Sequence, residues 1–170
     1  VKAYVGNIDF THFQYDMCME GRRQVGSTIK PFLYSLAMEN GFSPCDMAPN
    51  VQSTYIVAGQ PWTPRNASRN RYGQNVTLKW GLAQSNNWIS AYLMSKLNPS
   101  EFVNLIHQFG VKNNDIHASM ALCLGPCDIS VGEMVSAYTA FVNHGIRCAP
   151  MFVTKIVDNG GNVVAQFHPR

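Results

Sequence analysis

Apolar positions recur along this chain at two periods, and the change of period divides it into segments. Residues 2–8 alternate Ala3 and Val5 against Lys2 and Tyr4, which predicts a strand. Residues 9–21 are mixed and aromatic, with Phe10, Phe13 and Tyr15, and predict a loop or an irregular turn. The period then becomes helical, because Ile29, Leu33, Leu36 and Ala37 fall on one face and Gly41 supplies a stop. Pro31 fixes the start of this helix. Proline lacks an N–H and is tolerated only within the first turn, so Ser27 falls at or next to the helix N-terminus. A residue before proline is biased away from helical dihedrals, so burial of this helix must outweigh that bias at Lys30.

Residues 43–74 are polar and rich in Pro, Asn and Gly, and predict a long loop excursion with a short strand at 53–57. Thr77 can cap a helix over 78–84, which Ser85-Asn86-Asn87 breaks before a second helix over 88–97. Asn98-Pro99-Ser100-Glu101 opens another helix, running to Phe109 and stopped by Gly110. Ser130-Val131-Gly132-Glu133 is a capping box. It opens a helix with Met134, Val135, Tyr138, Phe141 and Val142 on its apolar side, closed at Gly145. Alternation over 152–157 and 162–167, around Asp158-Asn159-Gly160-Gly161, predicts a hairpin. Strands at both ends of a helical block predict an α+β fold. The ends would meet in one antiparallel sheet covered by the helices.

Composition narrows the picture. A chain of 170 residues with 46% hydrophobic and 14% charged residues can bury the core of one domain, and it excludes a disordered segment. The net charge of +3 is mild. The basic clusters, Arg22-Arg23 and Arg65 to Arg71, lie in loop-like stretches and predict a solvated or partner-facing surface, not a nucleic-acid partner. No apolar run approaches the length of a membrane span. The chain opens on Val1-Lys2-Ala3 without an initiator Met or a signal-peptide layout, so it is expected to be cut from something longer. The five cysteines, an odd number, predict buried free thiols. Cys123 and Cys127 match neither a C-x-x-C motif nor a zinc site, the histidines lack ligand spacing, and there is no Gly-rich phosphate loop. No metal or cofactor is expected.

Candidate chemistry centres on Ser27 and Lys30. Residues three apart on a helix share a face, and a serine hydroxyl needs a neighbouring base to act as a nucleophile. The helix N-terminus favours negative charge at Ser27. Lys30 acts as a base only when neutral, and bringing its pKa toward 7 costs about 4–5 kcal/mol. A helix cap beside a solvated lysine explains the same spacing. Ser85-Asn86-Asn87 lies in the tight break between two helices. Its hydroxyl can relay a proton and its amide can hold the lysine and a substrate carbonyl, while a C-cap followed by an N-cap explains the same residues.

Taken together, these residues resemble the transpeptidase domain of penicillin-binding proteins, of the bifunctional class A kind. Gly21-Arg22-Arg23-Gln24-Val25-Gly26-Ser27-Thr28-Ile29-Lys30-Pro31-Phe32-Leu33-Tyr34 is similar to the family's G-x-R-Q-P-G-S-x-x-K-P-F-x-Y. Trp62-Thr63-Pro64-Arg65-Asn66 resembles W-x-P-x-N. The likeness continues through Val76-Thr77-Leu78, Ser85-Asn86-Asn87, Leu124-Gly125 and the Ala137-Tyr138 helix, and so spans nearly the whole chain. It implies a β-lactamase/DD-peptidase-like fold. It implies Ser27 as acylated nucleophile, Lys30 as its base, Ser85 as proton relay, Asn87 and Trp62 against the substrate, and the Ser27 N–H as one oxyanion donor. It implies peptidoglycan stem peptides ending in D-Ala-D-Ala as donor, a second stem-peptide amine as acceptor, and β-lactams as substrate mimics. A transglycosylase domain and a membrane anchor elsewhere in the parent chain, on the extracytoplasmic face, follow from the same likeness.

The sequence departs from the pattern in two ways. Val25 stands where the family usually has Pro. None of the six lysines is followed by Ser/Thr-Gly, so residues 1–170 are expected to form a partial transpeptidase domain whose third motif lies beyond them. A deacylating β-lactamase would need a glutamate facing the serine, and Glu101 and Glu133 both read as helix-cap residues. A β-lactam-sensing or scaffolding module of the same fold is the other reading.

Overall fold

The computed structural model of the chain describes residues 1–9 and 11–169; Phe10, in the loop expected over 9–21, and the terminal Arg170 lie outside the described residues. The elements are β1 (Arg22–Gln24), α1 (Lys30–Glu39), β2 (Met47–Pro49), β3 (Tyr55–Val57), β4 (Gln60–Trp62), β5 (Asn75–Thr77), α2 (Leu78–Ala83), α3 (Asn87–Met94), α4 (Pro99–Gln108), β6 (Asp128–Ser130), α5 (Val131–Val142), β7 (Lys155–Val157) and β8 (Val163–Gln166). Two 3-10 turns, Gly26–Ile29 and Met120–Leu124, complete them. By its internal packing the chain divides into two units. The larger is Arg23–Gln108 with Asn113–Asp128, and the smaller is Val1–Arg22 and Phe109–Lys112 with Ile129–Arg170.

In the larger unit α1 is the central element. It buries Lys30, Phe32, Leu33, Tyr34, Leu36 and Ala37, more than one face of a helix, because α2, α3 and α4 all pack on it. Each large apolar side chain buried this way contributes about 1.5–3 kcal/mol. Thr77 caps α2 as expected, its hydroxyl accepting from Trp80 N at 3.2 Å. Gly81 lets α2 come close: a Cβ there would lie 2.7 Å from Ile89 Cγ2 and 2.9 Å from the Tyr34 hydroxyl. Asn98 accepts from Ser100 N at 2.9 Å ahead of α4, which ends at Gln108.

The excursion over 43–74 is more ordered than its composition predicts. β2 pairs antiparallel with β5, and β3 pairs antiparallel with β4, with Tyr55 opposite Trp62. The expected strand at 53–57 is therefore the short β3. Its partner β4 contains Pro61, and each of these strands has three residues, too few for alternation to register.

The smaller unit contains the expected hairpin, β7 with β8, shorter at both ends. Asp158 accepts from Gly160 N at 2.9 Å and from Asn162 N at 2.8 Å, and Gly161 takes φ +84°. The strand expected over 2–8 does not form. Ala3 and Val5 are both exposed, so no buried face fixes a register. The chain ends meet instead through single contacts: the Val1 amino group donates to Met151 O at 2.8 Å, and Tyr4 meets the Phe152 ring edge-on at 5.3 Å. The fold class is α+β, but each sheet among the described residues has two strands, and no single sheet underlies the helices.

The capping box of α5 forms, with Glu133 N donating to Ser130 Oγ at 3.2 Å and Ser130 N to the Glu133 carboxylate at 3.1 Å. The apolar side expected for this helix is not the buried one. Ser136, Ala137 and Ala140 are buried, while Val135 and Val142 are 61% and 85% exposed. Small residues let the helix sit close to the segment after it, where Ser136 Oγ donates to Cys148 O at 2.7 Å. All five cysteines are free, but burial holds only for Cys123 and Cys127. No helix among the described residues is long and apolar enough to cross a membrane.

Candidate active site

The Ser27–Lys30 pair is built at the start of α1. Ser27 lies in the 3-10 turn and Lys30 opens the helix, its N–H donating to Ser27 O. Side chains at i and i+3 eclipse in such a turn, which sets serine and lysine on one side. Lys30 is helical, at φ −58° and ψ −40°, despite preceding Pro31. The turn is held from outside as well: Val25 N donates to Cys127 O at 3.0 Å and Gly26 N to Gly125 O at 3.1 Å. Gly26 and Gly125 take φ +54° and +72°, a region that favours glycine.

Lys30 is 1% exposed. Its Nζ donates to Ser85 O at 2.7 Å, Ser85 Oγ at 3.1 Å and Asn87 Oδ1 at 2.6 Å. Three acceptors match the three N–H donors of an ammonium group. Burial works against the charge and lowers the pKa of Lys30 to about 8, with the Cys123 thiol nearby pulling the other way. A neutral amine has two N–H donors and one lone pair. It can keep Ser85 O and Asn87 Oδ1, and its lone pair can accept from a hydroxyl. Ser85 Oγ is the one partner that can reverse its role, because a hydroxyl both donates and accepts. Ser85 sits at φ +49°, a strained conformation for a serine, between α2 and α3.

The break between α2 and α3 is thus both a pair of caps and a set of lysine ligands. Gln84 closes α2, and Asn86 caps α3, accepting from Trp88 N at 2.9 Å and Ile89 N at 3.1 Å. Asn87, the first residue of α3, gives its oxygen to Lys30 and its Nδ2 to Arg65 O at 2.7 Å. Its backbone N donates to Asn66 Oδ1 at 2.6 Å.

A cleft of about 260 Å³ opens here, lined by Ser27, Asn66, Ser68, Trp80, Ser85 and Asn87 among others. Ser27, Lys30, Ser85 and Asn87 are therefore brought together. Trp62 is not: it stands on β4 with its ring 6.2 Å from that of Tyr55, and it does not line the cleft. The Trp62 to Asn66 stretch reaches the site through its other members. Pro64 O accepts from Trp88 Nε1 at 3.0 Å, and Asn66 lines the cleft. Trp80 and Gln84 also line it, and nothing in their sequence context singles them out. A larger groove of about 670 Å³ in the smaller unit, lined by Pro150, Met151, Phe152 and Phe167 among others, contains none of the four residues.

Residues 2–170 match the family model of the penicillin-binding protein transpeptidase domain. The chain belongs to this family. It is 31% identical to penicillin-binding protein 1A of Neisseria meningitidis over 99% of its own length and 21% of that protein's. Penicillin-binding protein 1A of Aquifex aeolicus is likewise 31% identical, over 99% of this chain and 23% of the relative. The crystal structure of penicillin-binding protein 1A from Haemophilus influenzae superposes with a TM-score of 0.90 at 30% identity, covering 98% of this chain and 25% of that one. The similarity is thus to the class A, penicillin-binding protein 1A type. The chain spans about a fifth of the length of the Neisseria meningitidis relative it matches.

Proposed function

We propose that this chain carries the acylating half of a serine D,D-transpeptidase that cross-links peptidoglycan stem peptides. The observation that carries the reading is a buried lysine amine, held by Ser85 and Asn87, three residues from an exposed serine. In this reading Ser27 Oγ attacks the carbonyl of the D-Ala-D-Ala amide and gives its proton to neutral Lys30. The oxygen that becomes negative is stabilised by the Ser27 N–H at the amino end of the turn. Collapse breaks the C–N bond. The leaving D-Ala amine takes a proton that Lys30 passes through Ser85 Oγ. The acceptor amine of a second stem peptide then attacks the Ser27 ester, yields its proton back along the same route, and frees the serine. Asn87 holds the lysine and presents its amide to the substrate. Trp62 has no place at the reacting atoms in this scheme, and Asn66 is the cleft residue contributed by its motif. β-Lactams would acylate Ser27 by ring opening in place of the donor peptide.

The whole protein is proposed to work on the extracytoplasmic face of the membrane, with a transglycosylase domain and an anchor outside these residues. The family's Lys-Ser/Thr-Gly motif is not within residues 1–170, so the second oxyanion donor must come from elsewhere. Loss of one such donor costs about 10²–10³ in rate. The 170 residues alone are expected to label slowly and incompletely with a fluorescent penicillin, and the full protein rapidly. Exchange of a D-amino acid into a D-Ala-D-Ala peptide by the full protein supports transpeptidation. A stable adduct without exchange points to a sensing or scaffolding module, and fast hydrolysis of the β-lactam points to a β-lactamase; either overturns the proposed function.

A further inference from the structure

Asn50 has no part in the chemistry above and is fully buried. It lies just after β2, and each of its polar groups has a partner. Its N donates to Gln74 O at 2.9 Å, and its O accepts from Gly73 N at 3.0 Å. Its Nδ2 donates to Asn70 O at 2.9 Å and Arg71 O at 2.8 Å. Its Oδ1 accepts from Asn86 Nδ2 at 2.8 Å. Two carbonyls on one side leave that amide only one way to face, with nitrogen toward the 70–71 loop and oxygen toward Asn86.

The neighbouring amides fit that orientation. Asn86 must turn its oxygen to Trp88 N and Ile89 N to cap α3, so its nitrogen faces Asn50. The same oxygen accepts from Asn66 Nδ2 at 3.0 Å. Asn66 is thereby left with its oxygen toward Asn87 N. Asn87 in turn is fixed by Arg65 O, which takes its nitrogen and leaves its oxygen for Lys30. Asn50, Asn86 and Asn66 are thus linked side chain to side chain, and the last link reaches the backbone N of Asn87, whose own amide is set by Arg65 O beside Asn66. The chain also ties residues 65–71, which carry Asn66, Ser68 and Asn70 of the cleft wall, to the 85–87 break.

We infer that Asn50 is a positioning residue for the transpeptidase site, fixing through Asn86 and Asn66 the 65–71 cleft wall and the Asn87 backbone, and so the place from which the Asn87 side chain, with Arg65 O, holds Lys30. The inference rests on the function proposed above. Asn50 touches neither substrate nor lysine. It acts by allowing one arrangement of amides where several would otherwise compete, as expected of a buried, fully satisfied network. The titratable neighbour of Lys30 in this unit is Cys123, which is not a member of the chain of amides.

The test uses the full protein and a fluorescent penicillin, with the acylation rate followed from pH 6 to 10. Three neutral variants are compared with wild type: Asn50→Ala, Asn50→Ser and Asn86→Ser. The last keeps a good helix cap and removes the donor to Asn50 from the other side, leaving the buried residue itself in place. Each is expected to acylate about tenfold more slowly at saturating penicillin, with the midpoint of the pH profile displaced by about half a unit or more. Combining Asn50→Ala with Asn86→Ser should cost little more than either change alone, because both cut the same connection. A pH midpoint unmoved in the folded variants, whatever their thermal stability, overturns the inference and leaves Asn50 a purely structural residue. Wild-type protein that is not acylated at Ser27 would instead overturn the proposed function itself, so the two failures are distinguishable.

Discussion

Lys30→Met is expected to lower the rate of acylation by penicillin about 10³-fold while the protein still folds, the loss typical of a general base. Methionine is an unbranched apolar side chain that ends where the lysine Cε does, so the stem is kept and the amine is removed. Wild-type acylation should rise with pH through a midpoint near the lowered pKa of about 8, and the residual activity of the variant should lack that rise. Stability carries a second signature. The folded pKa lies below the ordinary value of 10.5, so between those two values the unfolded chain binds more protons than the native one. Lys30 therefore makes the protein more stable as pH rises from about 8 to 10.5, by about 3 kcal/mol in all, and its contribution is flat below pH 8. Burial also pushes the Cys123 and Cys127 thiols up, to about 12 and about 11, and these act in the opposite sense above pH 9. Both thiols are present in the variant. The difference in denaturant-unfolding free energy between wild type and Lys30→Met, taken across this range, therefore isolates the lysine to first order. A rate loss below tenfold, or a difference that does not grow from pH 8 upward, contradicts the role given to the amine.

Gly125→Ala is expected to be nearly as damaging, from a residue that touches no reacting atom. A Cβ there would lie 2.7 Å from Gly26 N and 2.8 Å from the Gly26 carbonyl carbon, and closer still to its oxygen. These are backbone atoms next to Ser27 and cannot rotate away. Gly125 also takes φ +72°, where an alanine is strained. Strain and overpacking together should cost about 2–4 kcal/mol in stability. The serine turn must move to make room, and a displacement of about 1 Å costs on the order of 10²-fold in rate. Thermal unfolding and penicillin acylation of Gly125→Ala, beside Gly145→Ala as a control, test this. Gly145 has the same sign of φ but nothing within 4 Å of the added carbon, so it should lose stability without the same loss in acylation.

How much of this was legible in the sequence depends on the kind of signal. The caps were readable because each is a local bond with its own residue type: Thr77, Asn98 and the Ser130–Glu133 box all appear where expected. Pro31 fixed the start of α1 to within a residue, since a missing N–H admits few positions. The strand over 2–8 failed because two alternating pairs carry little information, and no buried face selects one register for them. The α5 face failed for a different reason. Its large apolar residues form a plausible stripe, but the small Ser136, Ala137 and Ala140 permit the closer approach, and closeness rather than residue size decides which side is covered. At the site, Ser27, Lys30, Ser85 and Asn87 were found by motif, and each motif was equally a cap. What joins Lys30 to Ser85 and Asn87 is a set of bonds to residues 55 and 57 positions away, which no local pattern encodes. Trp62 shared a motif with Asn66, but only Asn66 reaches the cleft. Asn50 was invisible, because its side-chain bonds run to Asn86, Asn70 and Arg71 and not to its neighbours in sequence.

Every step of the proposed reaction depends on Ser27 being the nucleophile. Intact-mass measurement of the full protein after brief exposure to benzylpenicillin, followed by peptide mapping, decides this. A single adduct of the whole penicillin mass on the peptide bearing Ser27, absent in Ser27→Ala, is the predicted result. An adduct on any other residue, or one that persists undiminished in Ser27→Ala, would contradict it.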